Sequence, residues 1–562
     1  MNVEASLAQP PFNLSRKDID WVCKTRDGLS TEAKIRQLFV HIFVGDDLGQ
    51  AREIGGLTPG GIHRFMGSNL EQAYGATKLV LEMNEIPLFI TGDIEGGGHG
   101  SAAMLQFPNQ LGLAAGNDLA LSARVLEAVC AEAKVLGFNW SFTPVVDVNK
   151  ETGSAIVGTR SYGSDVEKII AQARVHIKTL QGHGIAATAK HWPGEGFDAR
   201  DQHLVTTTNP LGVEAWHDIF GRIYKTMIGD GVMSVMSAHV ALPAYAALKN
   251  VAEGLERYRP ASLSKILNQD LLREELGFNG LVVSDATPMG GMGSFQNRAM
   301  TAPETIENGC DVFLFSDNPQ QDFEFLLDGL RNGKLSEQRL HDAITRILGM
   351  KAALGLHQKT LAERLPPFEM ARGIVNNAAH LHVAAEVSGK SITLVKDVQH
   401  LLPLHVKRHK RIALVDRGAE AMFPGQPRKH MDVFAEALKA RGFEIVDFDA
   451  IAPPSKKNID LLLYVFAAES SLGLSHIYID WKEQHPKAMM MMERFWHDVP
   501  TLMVSFGHPY YLRDAPRVPT YVNAYSTIPS VQKAVVARLV GEQPFTGVSP
   551  VDPFAGAPDS KY

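Results

Sequence analysis

The stretch SKILNQDLLREELGFNGLVVSD (264–285) carries the reading of the fold. Its first part reads at helical period, and its last six residues are an aliphatic run that stops on Asp285. A strand that is apolar throughout, rather than alternating, marks a parallel strand buried on both faces. The same unit recurs on either side: PLFITGD ends at Asp93, FTPVVDV holds Asp147, IAATAKH ends at Lys190-His191, and VMSVMSAH ends at His239. A helix-like stretch precedes each run, as TAPETIENG precedes CDVFLFSD (310–317). About seven such units favour an α/β fold of the (β/α)8 TIM-like barrel type over an open sheet. In such a barrel the strand ends converge on one face, where catalytic residues gather.

Toward the N-terminus, EAKIRQLFVHIFV (32–44) reads as one apolar-periodic helix and GGIHRF (60–65) as a short strand, so the first barrel strand is poorly defined. Toward the C-terminus, SEQRLHDAITRILGMKAALGL reads as a terminal helix on the barrel. The alternation restarts with KSITLVKD and RIALVDRG, which predicts a smaller three-layer α/β sandwich. The expected organisation is a barrel over 1–358, a helical linker over 359–388, the sandwich over 389–545 and a tail over 546–562 that wraps the surface or frays. The second domain has no Gly-rich loop between strand and helix, which argues against a nucleotide there. Met489–Met492 reads as the core face of a helix.

With 562 residues, 45% hydrophobic and 21% charged, the chain has the composition of a soluble two-domain protein. A net charge of -7 leaves no electrostatic footprint for nucleic acid. No run is long and apolar enough to predict a membrane span, and the first residues show no basic start followed by an apolar core. Cys23, Cys130 and Cys310 lie apart in apolar or helical contexts, as buried thiols of a reducing compartment do. The expected location is cytoplasmic. The oligomeric state is not legible, and no metal site or cofactor is expected, since the histidines lack ligand spacing.

The loop AKHWPGEGFDARDQH (189–203) separates a strand from its next helix by about twenty residues, a length usual for functional loops. Asp201 and His203 stand two apart, so the carboxylate can hold one ring nitrogen while the other meets a substrate, which suits a general acid or base. Read alone, such a pair is more often a turn or a surface pair. Asp285 alone could equally cap the next helix. Facing a proton donor across a pocket, it has the placement that retaining glycoside hydrolysis requires of its nucleophile.

Residues 30–545 resemble glycoside hydrolase family 3, most closely its β-N-acetylglucosaminidase branch. The similarity runs through GDIEGGG, FPNQLGLAAGND, LGFNWSFTPVVDVN, VGTRSYGSD, AKHWPGEG with DQH, VMSAHVALPAY, ASLSKILNQDLLREELGFNGLVVSDATPM and ENGCDVFLF, in the family's order. The resemblance implies Asp285 as nucleophile and Asp201-His203 as the dyad that replaces a carboxylic acid/base in that branch. It implies Asp93, Arg160, Lys190, His191 and His239 as sugar contacts. For Arg160 and Lys190 the alternative is an internal ion pair with Asp147 or Asp93. Two departures stand out: Gly98 where the family motif commonly has Arg, and Glu195 in a Pro-Gly-Glu-Gly segment. Glu195 could contact an unusual substrate or sit in solvent.

The implied activity is a retaining exo-β-glycosidase releasing a terminal N-acetylglucosamine or related hexose from an oligosaccharide or glycoside. The alternatives are a β-glycoside phosphorylase giving sugar 1-phosphate, a β-glucosidase using Glu469 of the second domain as acid, and an inactive carbohydrate-binding protein.

Overall fold

The computed structural model describes residues 3–98, 100–421, 425–485 and 487–562. Contacts divide the chain into two units. The first holds residues up to 106, 122–148 and 169–380; the second holds 107–121, 149–168 and 381–562. Two excursions from the barrel region of the sequence thus group with the C-terminal unit.

The first unit is a barrel of eight parallel strands: β1 (Phe39–Val44), β2 (Gly61–Phe65), β3 (Phe89–Gly92), β4 (Trp140–Ser141), β5 (Thr188–Trp192), β6 (Ser234–Ser237), β7 (Leu281–Ser284) and β8 (Phe313–Leu314). Regular pairing joins β8-β1-β2-β3-β4 and β5-β6-β7. Two seams complete the circle. Parallel bridges Trp140↔Ala186 and Val145↔Lys190 join β4 to β5, and Val283↔Val312 joins β7 to β8. The β7–β8 seam is reinforced by Asp311, whose carboxylate accepts from the Val282 N–H at 2.9 Å and pairs with Arg273 (2.7 Å) and Arg339 (2.6 Å).

The stretch 32–44 is a helix and a strand, not one helix. Thr31–Gln37 is helical, capped by Ser30, and Phe39–Val44 is β1. FVHIFV is β-branched and aromatic, and pairing on both sides, with β8 and β2, outweighs its helical periodicity. The missing first strand is therefore here, which brings the number to eight. Helix Glu337–Ala353 packs its Ile344, Ile347 and Leu348 into the same apolar core as Phe39, Phe89 and Trp140.

The second unit is built on a six-stranded sheet. Its strands are β9 (Thr393–Asp397), β10 (Arg411–Asp416), β11 (Glu444–Asp447), β12 (Leu461–Phe466), β13 (Thr501–Ser505) and β14 (Thr520–Asn523), in the order β9-β14-β13-β12-β10-β11. All neighbours are parallel except the edge pair β9–β14. Helices Asp432–Lys439 and Pro529–Leu539 cover one face through Phe434, Leu438, Val531 and Val535; Phe448, Ile479, Phe495 and Leu512 cover the other. The Met run is not a core face. It forms one short helical turn, Ala488–Met492, in which Met490 is buried while Met489 and Met492 are exposed. Too few residues separate the flanking turns for a helix with a continuous buried stripe. The C-terminal tail is held rather than frayed: the Lys396 ammonium donates to the carbonyls of Ser560 (2.7 Å) and Tyr562 (3.2 Å).

Candidate active site

The ends of β3, β5, β6 and β7 bring Asp93, Lys190, His191, His239 and Asp285 to the C-terminal face of the barrel. Each of these strands is short and wholly buried; Asp93 and Asp285 directly follow β3 and β7, His239 is the second residue past β6, and Lys190 and His191 lie in the last three residues of β5.

Asp285 is buried, and its backbone N–H donates to Ser237 O at 2.8 Å. Its Oδ1 accepts from the Ala286 N–H at 2.8 Å, and among the described residues its Oδ2 has no hydrogen-bond partner. Burial pushes this carboxyl up, but His191, His239, His203 and the Ala286 N–H together hold it below the ordinary aspartate range. The result is an anion with one oxygen engaged by the backbone and the other uncommitted. Reaching the charged state costs nothing at neutral pH, and the lone pairs of Oδ2 are available to an electrophile.

His239 is fixed at both ring nitrogens. Nδ1 meets Ser262 Oγ at 2.8 Å and Nε2 meets Ala286 O at 3.0 Å. Burial lowers its proton affinity, with Asp285 pulling the other way. On the far side, the Lys190 ammonium is buried between Asp93 Oδ1 (2.7 Å) and Glu95 Oε1 (3.0 Å). The internal ion pair considered for Lys190 is thus formed, with Asp93. Burial pushes the Asp93 carboxyl up, but Lys190 and His63 hold it below its usual range. The Asp93 side chain remains 33% exposed, which leaves it open to a hydroxyl.

His191 Nδ1 lies 2.6 Å from Asp147 Oδ2, and Asp147 Oδ1 accepts from the backbone N–H groups of His191 (3.1 Å) and Glu195 (2.9 Å). Glu195 is 3% exposed and accepts from the Gln202 amide at 3.1 Å, so it does not sit in solvent. Asp147, His191 and Glu195 bring ligand-type atoms within 4.8 Å of one another. Those of Asp147, and the His191 nitrogen facing it, already serve each other and the backbone, so the trio works as a brace for the loop leaving β5.

That loop returns over the site through Asp201 and His203. Asp201 Oδ1 meets His203 Nδ1 at 2.7 Å and accepts from the His203 N–H at 2.8 Å. The ring's far nitrogen is left facing outward, and the side chain is 22% exposed. The intervening Gln202 is fully buried. Its amide donates to Glu195, and its carbonyl accepts from the His239 N–H at 2.9 Å. Past Asp285, the backbone N–H groups of Gly290 and Gly291 donate to His203 O (2.8 Å) and Gln202 O (3.1 Å). A Cβ at Gly290 would lie 2.3 Å from Leu204 O and one at Gly291 2.4 Å from Gln202 O, so only glycine lets the two loops dock.

Arg160 ends the short turn Gly158–Arg160, which belongs to the second unit. Glu469, also of the second unit, has both oxygens engaged there: Oε1 by Thr527 N (2.7 Å) and Oγ1 (2.6 Å), and Oε2 by the Asn109 amide (2.9 Å). Gln202, Ser262 and His63 escaped the reading of the sequence, because an amide, a hydroxyl and a mid-strand imidazole carry no local signal of a site. At Gly98 the structure explains the departure from Arg. A Cβ there would lie 2.5 Å from Met104 O, across the bridge Gly97↔Gln106.

The model of the glycosyl hydrolase family 3 N-terminal domain matches residues 31–350. A β-N-acetylglucosaminidase/β-glucosidase of Cellulomonas fimi is 35% identical over 99% of both chains. A solved structure titled beta-glucoside phosphorylase BglX, bound to 2FGlc, is 34% identical with a TM-score of 0.91, covering 98% of this chain and all of that one. A family 3 β-N-acetylglucosaminidase from Paenibacillus sp. shares the fold at TM-score 0.79 and 24% identity, over 94% of this chain and 100% of that one. The chain belongs to glycoside hydrolase family 3. It is a glycoside hydrolase whose two units are the family's barrel and α/β sandwich. Among the described residues no helix is long and apolar enough to cross a membrane.

Proposed function

We propose that the chain is an exo-acting, retaining β-glycosidase that releases a terminal N-acetylglucosamine or related hexose through a glycosyl-enzyme intermediate. The observation that carries this reading is the Asp285 carboxylate, ionised and with one buried oxygen uncommitted, on the same barrel face as an imidazole held by a carboxylate. Asp285 Oδ2 attacks the anomeric carbon while the outward nitrogen of His203 gives its proton to the departing oxygen. Water that returns a proton to His203 then attacks the same carbon and releases Asp285. Asp201 accepts from Nδ1–H, so the outward nitrogen carries a proton in the imidazolium and a lone pair once that proton has left. Asp93, Arg160, Lys190 and His191 are assigned to the sugar, and His239, with both ring nitrogens taken, to bracing the strand end beside Asp285. Glu195 sets the position of the loop through Asp147 and Gln202. The three cysteines are unbridged, which supports a cytoplasmic location.

An activated 2-deoxy-2-fluoro-β-glycoside tests the first step: slow turnover should leave a sugar on the peptide that contains Asp285, read by mass spectrometry. Asp285→Ala should lower kcat by on the order of 10^4 for every glycoside. Labelling of another carboxylate, or near-normal turnover by the variant, would sink the assignment.

A second reading is phosphorolysis, favoured by the likeness to the structure named as a β-glucoside phosphorylase. An imidazole that has given up its proton is neutral and repels an incoming phosphate less than a carboxylate would. Assays with and without inorganic phosphate, analysed for sugar 1-phosphate, decide between water and phosphate as acceptor.

A further inference from the structure

The parallel strands of the second unit follow the order β11-β10-β12-β13-β14, which reverses direction between β10 and β12. The chain leaving β10 returns through helix Asp432–Lys439 on one face, while the chain leaving β12 runs through Ile479 and Trp481 on the other. Diverging connections leave a crevice beyond the strand ends, and in open α/β sheets this is where ligands bind. A cavity of about 440 Å³ occupies that position, lined by Arg417 after β10, Ala467 after β12, and His476, Tyr478 and Gln484 beyond.

Its chemistry is specific. Gln484 is 4% exposed, yet among the described residues its Oε1 has no partner, and neither has Arg417 Nε. The rest of that guanidinium is taken by Asp449 (2.8 Å twice) and Gln484 O (2.8 Å). Arg417 and Gln484 thus set an uncommitted donor and an uncommitted acceptor in the wall of one cavity, and a hydroxyl is the group that accepts from one and donates to the other. The second cation, Arg428, is paired with Glu483. With both guanidiniums neutralised and Glu420 and Asp480 adding negative charge, the crevice disfavours phosphates and carboxylates. At its rim the half-exposed Tyr478 ring leans on His476, centroids 4.7 Å apart, offering a flat apolar face.

We propose that this crevice is a second, non-catalytic site for a neutral polyhydroxylated ligand, a mono- or disaccharide whose ring lies on Tyr478 and whose hydroxyl bridges Arg417 Nε and Gln484 Oε1. Titration calorimetry of cellobiose and of N,N′-diacetylchitobiose into the full chain carrying Asp285→Asn tests it. At least one disaccharide should show a binding component that weakens about tenfold when Tyr478→Ala or Gln484→Leu is added. The component should survive Asp93→Ala, and Tyr478→Ala and Gln484→Leu should leave aryl glycoside turnover unchanged. Tyr478 is exposed, so its variant keeps the test sound should Gln484→Leu misfold. If neither sugar shows such a component, or it vanishes with Asp93→Ala, or inorganic phosphate displaces it, the proposal fails; a water would then be what bridges the two groups.

Discussion

The His203 ring owes its geometry to one oxygen. Asp201 Oδ1 holds both its Nδ1 and its backbone N–H, which fixes the side chain and its main chain together. An acid positioned this way matters in proportion to how poor the leaving group is. His203→Asn should therefore slow methyl or disaccharide substrates by about 10^2–10^4-fold and nitrophenyl glycosides far less. Steady-state rates on both classes check this, and equal slowing of the two would reject His203 as the acid. Asp285 supplies the complementary expectation. Because the imidazoles around it hold its carboxyl below the ordinary range, its own titration should not limit kcat/KM anywhere above the ~3.9 of a free aspartate.

The loops and strands that carry these side chains are held by contacts of differing fragility. The His203 loop rests on the backbone of Gly290-Gly291, and a single methyl at Gly290 would meet Leu204 O at 2.3 Å. Gly290→Ala should lift the loop and reproduce the leaving-group pattern of His203→Asn while the protein stays folded, as circular dichroism and the two substrate classes would reveal. At the seam closing the barrel, Asp311 is fully buried between Arg273 and Arg339 and holds the Val282 N–H. Removing it strands buried guanidiniums, so Asp311→Ala should cost about 3–5 kcal/mol and be visible as a large drop in Tm. A shift of under a degree would mean the seam does not depend on it. The strand β1 shows the limit of local reading at this level. Its helical periodicity is real, but β2 and β8 on either side decide its state, and β8 comes from the far end of the barrel's sequence.

Across the protein, four buried histidines share one property. Burial drives the proton affinity of His41 and His63 down to about 4, and that of His176 and His508 to about 3. The unfolded chain takes up these protons near pH 6.5, whereas the folded chain refuses them until pH 4 or lower. Stability is therefore complete above about pH 6.5 and falls as the pH drops toward 4, by up to ~1.4 kcal/mol per pH unit for each histidine. Chemical denaturation at a series of pH values should show this slope, and a flat profile between pH 7 and 4.5 would refute it. Loss of activity in acid should then track unfolding rather than the titration of Asp285. What was legible from the amino acids alone was every element whose signal is local. The runs ending at Asp93, Lys190-His191, His239 and Asp285 announced buried parallel strands with polar ends, and their repetition implied a barrel and the face that bears the site. Tertiary contacts decided the rest. They made β1 a strand, took Arg160 and residues 107–121 and 149–168 into the second unit, engaged Glu469 through Asn109 and Thr527, and turned Gln202 and Glu195 into the support of the His203 loop. The physical reason is range: periodicity and strand ends are properties of a few neighbouring residues, whereas a hydrogen bond or strand pairing between distant segments exists only once the chain has brought them together.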